Sequence, residues 1–413
     1  MKERSPLLQR SILALLSAEI ISSLGAQMTF LALPWFVLTT TGSTTKMGIV
    51  LAAELLPIAL LGIPSGTVVS RLGAVKAMLV CDLARIPLMV SIPLLYEAGL
   101  LSFPLLLVLV FVLGCFIAPY FSAQRIALPE LVGEDSATLT QANAFVEAGS
   151  RLTILLGPVA AGLLIAWIGA VNVLYVDAAT YAVSFCLLLF FVPRRRPVPA
   201  TAEGSGVLAG LRFVLSDGLL RPMLATAVFL HMFAQAIFVS LPVLAYVHYG
   251  ASARTAGLMF GAFGAGSVIG AISAIPLARR VPPLRLATAG ILWVSAPLLL
   301  LGLDLPAIGV MAVMFAAGLG AVATAPLIAI ITTRSPEELR PKVMTAVITL
   351  ITISGPVTVL VLGWLLESVD VRTVLLGLAI GRLVMAVAFA VIVPRRAGDP
   401  RPPTTGEAGS VPA

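Results

Sequence analysis

The chain has 413 residues, of which 59% are hydrophobic and 11% charged, and its mean hydropathy is +1.07. Soluble globular proteins carry about one quarter charged residues, so this chain has too few polar side chains to cover a soluble protein of its length. Its net charge of +7 would suggest nucleic-acid binding in a soluble protein. Here the composition indicates an integral membrane protein instead.

The chain contains twelve long apolar runs. A helix that crosses about 30 Å of hydrocarbon needs about 20 mostly apolar residues, and breaks at charged, polar or Gly/Pro-rich points separate runs of this length. Their limits are 11–38, 47–70, 76–96, 103–124, 140–167, 171–193, 221–247, 255–278, 284–302, 306–333, 342–366 and 372–393. We therefore predict an all-α membrane protein with twelve transmembrane helices.

Lysine and arginine are concentrated on one side of the predicted membrane. With a cytoplasmic N-terminus, 20 of the 26 basic residues fall in cytoplasmic segments, and only Lys46, Arg254 and Arg372 fall outside. Such an excess marks the cytoplasmic side. The first apolar run contains Glu19 and lacks a small-residue cleavage pattern, which indicates an uncleaved span. We expect both termini in the cytoplasm.

The longest hydrophilic break divides the spans six and six. We predict an N-terminal six-helix bundle over 1–193, a cytoplasmic linker over 194–220, a C-terminal bundle over 221–394 and a disordered cytoplasmic tail over 395–413. Apolar residues at helical spacing in the linker predict a short amphipathic helix on the membrane surface. The tail is rich in Pro, Gly and Thr, a composition typical of disorder.

The two halves of the sequence resemble each other. Residues 26–30 (AQMTF) match residues 234–238 (AQAIF) at an offset of 208 positions, and Gly157-Pro158 recurs as Gly355-Pro356. Both halves start inside and contain six spans, so the repeat is parallel. Parallel repeats of this kind occur in transporters whose halves rock around a site near the bilayer midplane.

A short basic motif follows span two. Gly66, Arg71, Gly73 and the basic Lys76 match the pattern Gly-x-x-x-Asp-Arg-x-Gly-Arg-Arg, with Ser70 in place of the usual Asp. This loop resembles that of the major facilitator superfamily, where it takes part in controlling the inner gate. The resemblance implies the major facilitator fold, two parallel repeats of six helices.

Span five carries a glycine-proline pattern. Gly149, Gly157, Pro158 and Gly162 are similar to the pattern associated with antiporters of the superfamily. Glycine lets helices approach closely and proline removes a backbone donor, so we expect a bend or a sliding interface here. The superfamily resemblance covers about residues 11–394.

Further segments resemble one particular group within the superfamily. Residues 122–132 and 141–144, with Asp177, Tyr181 and Ser184 in span six, resemble the bacterial exporters of the macrolide-efflux and enterobactin-exporter group. This resemblance implies export of a hydrophobic or amphiphilic drug or natural product by proton antiport and alternating access. It also implies the cytoplasmic membrane of a bacterium.

Two carboxyl groups are candidates for proton coupling. A charged side chain at the bilayer centre costs about 2.5–3.5 kcal/mol on insertion scales, so it needs a partner, water or a proton. Glu19 lies roughly 14 Å beyond Arg10 along a helix, and Glu54 is the only charge within its predicted span. A carboxyl group removed from water binds a proton more readily. For Glu19 the alternatives are cation recognition and structural pairing. For Glu54 they are a hydrogen-bonded structural role and a position nearer the membrane surface.

A polar stripe continues from Glu19 and recurs in the second half. Ser23 and Gln27 follow at four-residue steps on the same helix face, and His231 and Gln235 lie 208 positions after them. We expect both stripes to face one cavity, although each residue could instead fix helix packing. Aromatic residues lie near both stripes, and one arginine has no acid in its own span. The substrate-cavity candidates are therefore Ser23, Gln27, Phe30, His231, Gln235, Phe238 and Arg382.

Two further charge pairs are predicted to be structural. Asp82 and Arg85 are three residues apart, and Glu147 and Arg151 are four apart. Both spacings place the two charges on one helix face, where they neutralise each other.

Several function classes lack the residues they need. There is no GxxxxGK[ST] phosphate loop, and with two histidines we expect neither a metal site nor catalysis. We expect a secondary transporter that uses the proton gradient without a cofactor. Its expected partners are a small hydrophobic substrate, protons and membrane lipids, with no nucleic acid, and we expect a monomer. The alternatives are a lipid or lysophospholipid flippase and, because Ser70 departs from the motif, a transport-inactive receptor or scaffold.

Overall fold

The computed structural model describes residues 10–132, 136–194, 206–396 and 398. Within these ranges the chain is helical and forms no strands. Nearly all of the tail predicted to be disordered, and residues 195–205 of the predicted linker, lie outside the described residues.

The first half of the chain forms seven helices. They are α1 (Arg10–Thr41), α2 (Thr44–Leu72), α3 (Ala74–Glu97), α4 (Phe103–Cys115), α5 (Ile117–Val132), α6 (Ser136–Ile168) and α7 (Ala170–Phe191). A turn at Phe116 separates α4 from α5, and the two together form one span, Phe103–Val132.

The second half forms eight helices. They are α8 (Gly206–Ser216), α9 (Leu220–His248), α10 (Ala253–Ala278), α11 (Pro283–Ser295), α12 (Ala307–Gly318), α13 (Thr324–Arg334), α14 (Arg340–Ser368) and α15 (Val371–Arg395). A 3-10 segment, Pro297–Gly302, follows α11, and another, Leu319–Ala323, joins α12 to α13.

The predicted number of spans is confirmed. In the described part of the chain, twelve helical segments are long and apolar enough to cross a membrane, and most of their ends lie within a few residues of the predicted limits. A helix satisfies its own backbone groups, which is what a lipid solvent requires. The largest differences are at span two, which ends at Gly62, and at span four, which continues to Val132.

The helices form two compact units. The first consists of Met1–Thr201, Val239–Gly264 and Val359–Val369, and the second of Ala202–Phe238, Ala265–Thr358 and Asp370–Ala413. Short portions of α9, α10 and α14 therefore pack with the first-half helices. The domain boundaries drawn from the sequence stay a prediction.

Two glycine-to-glycine crossings hold these portions in the first unit. A Cβ built on Gly162 of α6 would lie 2.6 Å from the carbonyl oxygen of Ala253 and 3.0 Å from the Cα of Gly257 on α10. A Cβ built on Gly48 of α2 would lie 3.0 Å from the Cα of Gly363 on α14. Only residues without a side chain permit so close an approach.

The second unit has its own core, to which α8 contributes. Phe213 and Val214 of α8 are buried there together with Leu220, Val343 and Phe389. The helix expected in the linker is thus present, and part of its apolar face packs against the protein. Its position relative to the membrane surface stays a prediction.

Candidate substrate and proton site

A cavity of about 120 Å³ lies among the helices of the first unit. Its lining brings together four of the residues singled out in the sequence, namely Glu19, Ser23 and Gln27 of α1 and Glu54 of α2. Arg85, predicted to be part of a structural pair, lines the same cavity. The polar stripe of span one and the lone acid of span two therefore share one site.

Neighbouring helices hold the α1 stripe in place. The Ser23 and Thr153 hydroxyl oxygens lie 3.1 Å apart, within hydrogen-bonding distance, and the Glu19 carboxyl interacts with Gln124 of α5. Gly157 allows α6 to approach so closely that a Cβ there would collide with Gln27. The glycine pattern of span five thus packs against the polar stripe.

The remaining residues of the glycine-proline pattern allow α6 to pack closely against its neighbours. A Cβ on Gly149 would lie 2.8 Å from Ile20 of α1. Gly162 contacts α10 at Gly257, and a Cβ on Gly257 would lie 2.5 Å from the carbonyl oxygen of Pro158. α6 therefore makes close contacts with α1 on one side and with α10 on the other, as expected for glycine-mediated packing. Whether these interfaces slide stays a prediction.

Glu54 faces the cavity from α2. Its side chain is half-buried, and no side chain among the described residues donates a hydrogen bond to its carboxyl group. Gly114 of α4 packs directly against the backbone carbonyl of Glu54, which fixes this part of α2. The backbone of Glu54 is therefore fixed by packing, and its side chain lines the cavity, where water or substrate can reach it.

The predicted Asp82–Arg85 pair is present and deeply buried. Arg85 Nη2 lies 2.6 Å from Asp82 Oδ1, and the two side chains are 5% and 0% exposed. The Ser184 hydroxyl donates to the other Asp82 oxygen at 2.7 Å. The guanidinium carbon lies 4.4 Å from the ring centre of Tyr120 and 4.3 Å from that of Tyr181. The pair thus belongs to a network that reaches the cavity.

Asp177 is a buried acid whose only signal in the sequence was its place in the family resemblance. It is fully buried on α7, and the Thr29 hydroxyl donates to its Oδ2 at 2.5 Å. Thr180 donates to its Oδ1 at 3.2 Å, and its carboxyl group also interacts with Tyr181. The cost of a charge at membrane depth, applied to Glu19 and Glu54 above, would have singled it out.

The Glu147–Arg151 pair is also present, but at the surface of the unit. Arg151 Nη2 lies 2.7 Å from Glu147 Oε1, with side chains 38% and 63% exposed. Exposed pairs contribute little free energy of folding in water, about 0–1 kcal/mol.

The second-half candidates lie on α9 and α15, and none of them lines the described cavity. His231 is exposed, Gln235 and Phe238 are half-buried, and Arg382 is buried. Arg382 Nη1 donates to the backbone carbonyl of Leu230, while its Nε has no hydrogen-bond partner among the described residues. The shared cavity for both stripes therefore stays a prediction.

Phe30 is not part of the cavity lining either. Its ring packs edge-to-face against Phe260, with the ring centres 6.0 Å apart. This contact joins α1 to the portion of α10 that lies in the first unit.

The basic motif forms the turn between α2 and α3. Gly73 is buried there with φ of +84°, a backbone conformation that is favourable only for glycine. Ser70 donates to a carbonyl oxygen of its own helix at 2.9 Å, and Arg71 and Lys76 are exposed. A Cβ on Gly66 would meet no atom within 4 Å. Gly73 thus supplies the positive φ angle that the turn between α2 and α3 requires.

In the described part of the chain, twelve apolar helical segments and a cavity lined by carboxyl, amide and hydroxyl groups define an integral membrane protein with a polar internal site. The chain superposes on the nucleoside transporter NupG with a TM-score of 0.73, covering 92% of this chain and 99% of that one at 14% identity. At a sequence identity of 14%, this similarity shows that the two proteins share a fold. The model of the family described as transmembrane secretion effector matches residues 2–401, so the chain belongs to that family of major facilitator transporters. The superfamily resemblance is confirmed.

Two kinds of curated relative bear the names of exporters. The multidrug efflux pump Tap of Mycolicibacterium fortuitum is 26% identical over 401 residues, which cover 93% of this chain and 96% of Tap. The enterobactin exporter EntS of Citrobacter koseri is 33% identical over 172 residues, 41% of this chain and 40% of EntS. The chain is thus a multi-pass membrane transporter of an efflux family and not an enzyme.

Proposed function

We propose that this protein exports amphiphilic drug-like or natural-product molecules from the cytoplasm in exchange for protons. The observation that carries the proposal is the meeting of Glu19 and Glu54 in one cavity, because two carboxyl groups at membrane depth can bind and release protons as their surroundings change. The names of the relatives, multidrug efflux pump and enterobactin exporter, support export of small molecules.

The size and chemistry of the cavity favour an amphiphilic substrate. Ligand pockets for drug-sized molecules measure about 300–1,000 Å³, whereas this cavity measures about 120 Å³. It has room for a polar or cationic group of the substrate but not for a whole drug molecule. Glu19 and Glu54 would attract a positive group, while the apolar part of the substrate stays outside the cavity.

We propose alternating access as the transport cycle, with both termini cytoplasmic in a bacterial cytoplasmic membrane. The glycine crossings of α6 with α10 and of α2 with α14 support this, because helices that touch through backbone alone can separate without dislodging side chains. The protein would act as a monomer surrounded by lipid, with the proton gradient as its energy source and no cofactor.

The proposal is tested with ethidium as the probe in proteoliposomes that are acidic inside, with the cytoplasmic face outward. Wild-type protein is expected to accumulate ethidium, and an uncoupler abolishes the accumulation. Glu54→Gln or Glu19→Gln is expected to abolish it as well, while Asp304→Asn, which changes an exposed acid, does not. The proposal fails if neither ethidium nor any compound of a drug panel accumulates in a gradient-dependent way. Movement of labelled phospholipid alone would identify a lipid flippase.

A further inference from the structure

Arg382 is a buried cation near the middle of α15. It is 9% exposed and lies roughly 16 Å along the helix from Val371, at about 1.5 Å per residue. No ion pair includes it among the described residues. A cation at this depth is costly unless it is paired or reaches water, so Arg382 requires a partner that the described part of the chain does not provide.

The acids of the second unit lie far from the depth of Arg382. Those that the structure describes all fall in connections between helices or at helix ends, and they are Asp217, Asp304, Glu337, Glu338 and Asp370. Three of them already pair with other arginines. The described part of this unit therefore carries a positive charge at mid-span without a carboxylate to balance it.

The guanidinium of Arg382 has one edge that is not used. Nη1 donates to the backbone carbonyl oxygen of Leu230 on α9, and this is the only hydrogen bond that the guanidinium forms within the described residues. Nε is buried and has no partner there. The Nε–H and the adjacent Nη2–H of an arginine form the fork that binds a carboxylate through two parallel hydrogen bonds. Because a buried donor without a partner is costly, an anion bound at this edge would remove that cost.

Polar side chains of α9 lie near the guanidinium. His231 follows Leu230 in the chain and interacts electrostatically with Arg382. Its side chain is exposed, and that of Gln235, about one helical turn later, is half-buried. Neither side chain has a hydrogen-bond partner in the part of the chain that the structure describes. Polar side chains at membrane depth face the interior of the bundle or a water-filled space, so this face of α9 borders water rather than lipid.

A glycine brings α15 and α9 together at the same level. A Cβ on Gly381 would lie 2.6 Å from the ring of Phe233, so the absence of a side chain lets this ring pack against α15 next to Arg382. The Phe233 ring is half-buried and offers an apolar surface close to the charged group. Charge, polar groups and an apolar surface are the three features that recognise an acidic amphiphile.

We infer that the second unit contains a binding site for the carboxylate, or a similar planar oxyanion, of an acidic amphiphile. The anion accepts hydrogen bonds from Nε and Nη2 of Arg382, while His231 and Gln235 offer further polar contacts and Phe233 contacts the apolar part. This extends the proposed export to acidic substrates and rests on that proposal. Binding at equilibrium needs no proton gradient, so it can be measured whether or not transport is coupled to protons.

The inference is tested by equilibrium binding of tritium-labelled 1-naphthaleneacetate to the full-length protein in phosphatidylcholine nanodiscs. Wild-type protein is expected to bind the acid saturably, and unlabelled acid is expected to displace it far better than 1-naphthaleneacetamide, which has the same shape without the charge. Arg382→Gln is expected to weaken binding about tenfold or more, the loss that follows from removing a charge-assisted contact. Arg382→Lys keeps the charge but not the fork, and is expected to lie between the two.

The matched control is Arg372→Gln, on the same helix. Arg372 pairs with Asp304, and its replacement is expected to leave binding unchanged. Equal displacement by the acid and the amide overturns the inference. Equal binding by Arg382→Gln and wild type also overturns it, because a guanidinium that only supports packing would affect stability and not the preference for the acid.

A second variant tests the inference while Arg382 stays in place. His231→Glu puts a carboxylate near the guanidinium, where it is expected to act as a tethered anion, so that binding of the acid is lost and the melting temperature rises. His231→Gln, which adds no charge, is expected to keep both the binding and the melting temperature. Binding of the acid by His231→Glu at the wild-type level overturns the inference, even if Arg382→Gln does not fold.

Nanodiscs that also contain phosphatidylglycerol distinguish two sources of the oxyanion. If this lipid displaces the labelled acid, the natural occupant of the site is a lipid headgroup. If it does not, the site binds small acidic amphiphiles. Failure of wild-type protein to accumulate ethidium would overturn proton antiport and leave these binding results as they are, so the two failures can be told apart.

Discussion

A Cβ atom on Gly162 would lie 3.0 Å from the Cα atom of Gly257, so α6 and α10 touch backbone to backbone. Gly162→Leu is therefore expected to force the two helices apart at this crossing, because the neighbouring atoms are backbone and cannot rotate away. We expect slower ethidium transport and a lower melting temperature. Gly377→Leu on α15 is the matched control, since nothing lies within 4 Å of a Cβ at that position. Equal behaviour of the two variants would contradict the assigned role of the crossing.

The buried pair of Asp82 and Arg85 predicts a strong effect of removing one partner. Asp82→Asn leaves the guanidinium buried without its carboxylate, a change that costs about 3–5 kcal/mol for buried pairs. Thermal unfolding in detergent is expected to shift far more than for Glu147→Gln, which breaks the exposed pair. The double variant Asp82→Asn, Arg85→Gln is expected to recover part of the loss. No recovery would show that the two side chains act independently.

Asp217 lies just before α9 and binds both the start of α9 and the end of α13. Its Oδ1 accepts from the backbone N–H groups of Leu219 and Leu220 at 2.8 and 2.9 Å, and Arg334 Nε lies 2.9 Å from its Oδ2. Asp217→Ala removes the cap, worth about 1 kcal/mol, together with the ion pair. Asp217→Asn keeps a capping side chain and is expected to lie between wild type and Asp217→Ala in melting temperature. A melting temperature for Asp217→Ala equal to that of Asp217→Asn would contradict this.

Glu367 of α14 fastens the start of α2. Its Oε2 accepts from the Thr44 hydroxyl and the Thr45 backbone N–H, both at 3.0 Å, and from the Ser43 hydroxyl at 3.1 Å. A carboxylate at a helix N-terminus is worth about 0.3–1 kcal/mol, so Glu367→Gln is expected to speed amide hydrogen exchange in the first turn of α2. Glu337→Gln, at an exposed pair, is expected to leave that exchange unchanged. The account of this contact fails if the two variants exchange alike.

The proposed orientation can be checked by labelling single cysteines in intact cells. The protein's own cysteines, Cys81, Cys115 and Cys186, are replaced by serine first. Lys46 lies in the first turn of α2 and is exposed, so Lys46→Cys is expected to react with an impermeant maleimide. Arg71→Cys, at the opposite end of α2 and exposed, is expected to react only after the cells are opened. The reverse pattern would place the termini outside.

Much of the fold follows from the sequence because lipid imposes a simple rule. Twelve apolar runs of about 20 residues become twelve helical spans, since a helix satisfies its own backbone polar groups in hydrocarbon. The turn at Gly73 also follows from its motif. The breaks inside span four at Phe116 and inside span ten at Leu319–Ala323 could not be predicted, because they depend on close packing between particular helices rather than on hydropathy.

The candidate site was predicted in part. Glu19, Ser23 and Gln27 share a helix face, so periodicity alone brings them together, and the structure adds Glu54 from α2. The network around Arg85 could not be derived in this way. The spacing of Arg85 and Asp82 indicated local neutralisation, but the stacking of Arg85 on Tyr120 and Tyr181 joins residues far apart in sequence. A single sequence carries no record of such contacts.

The central claim is that substrate and protons move in opposite directions through one protein. The most direct measurement uses proteoliposomes that contain a pH-sensitive dye and have the cytoplasmic face of the protein outward. With equal internal and external pH, an ethidium gradient is then imposed that drives ethidium out of the liposomes. Ethidium leaving the liposomes is expected to drive protons inward, so the lumen acidifies in wild type and not in Glu54→Gln. Ethidium efflux without any change in internal pH would contradict the claim and would identify a carrier that is not coupled to protons.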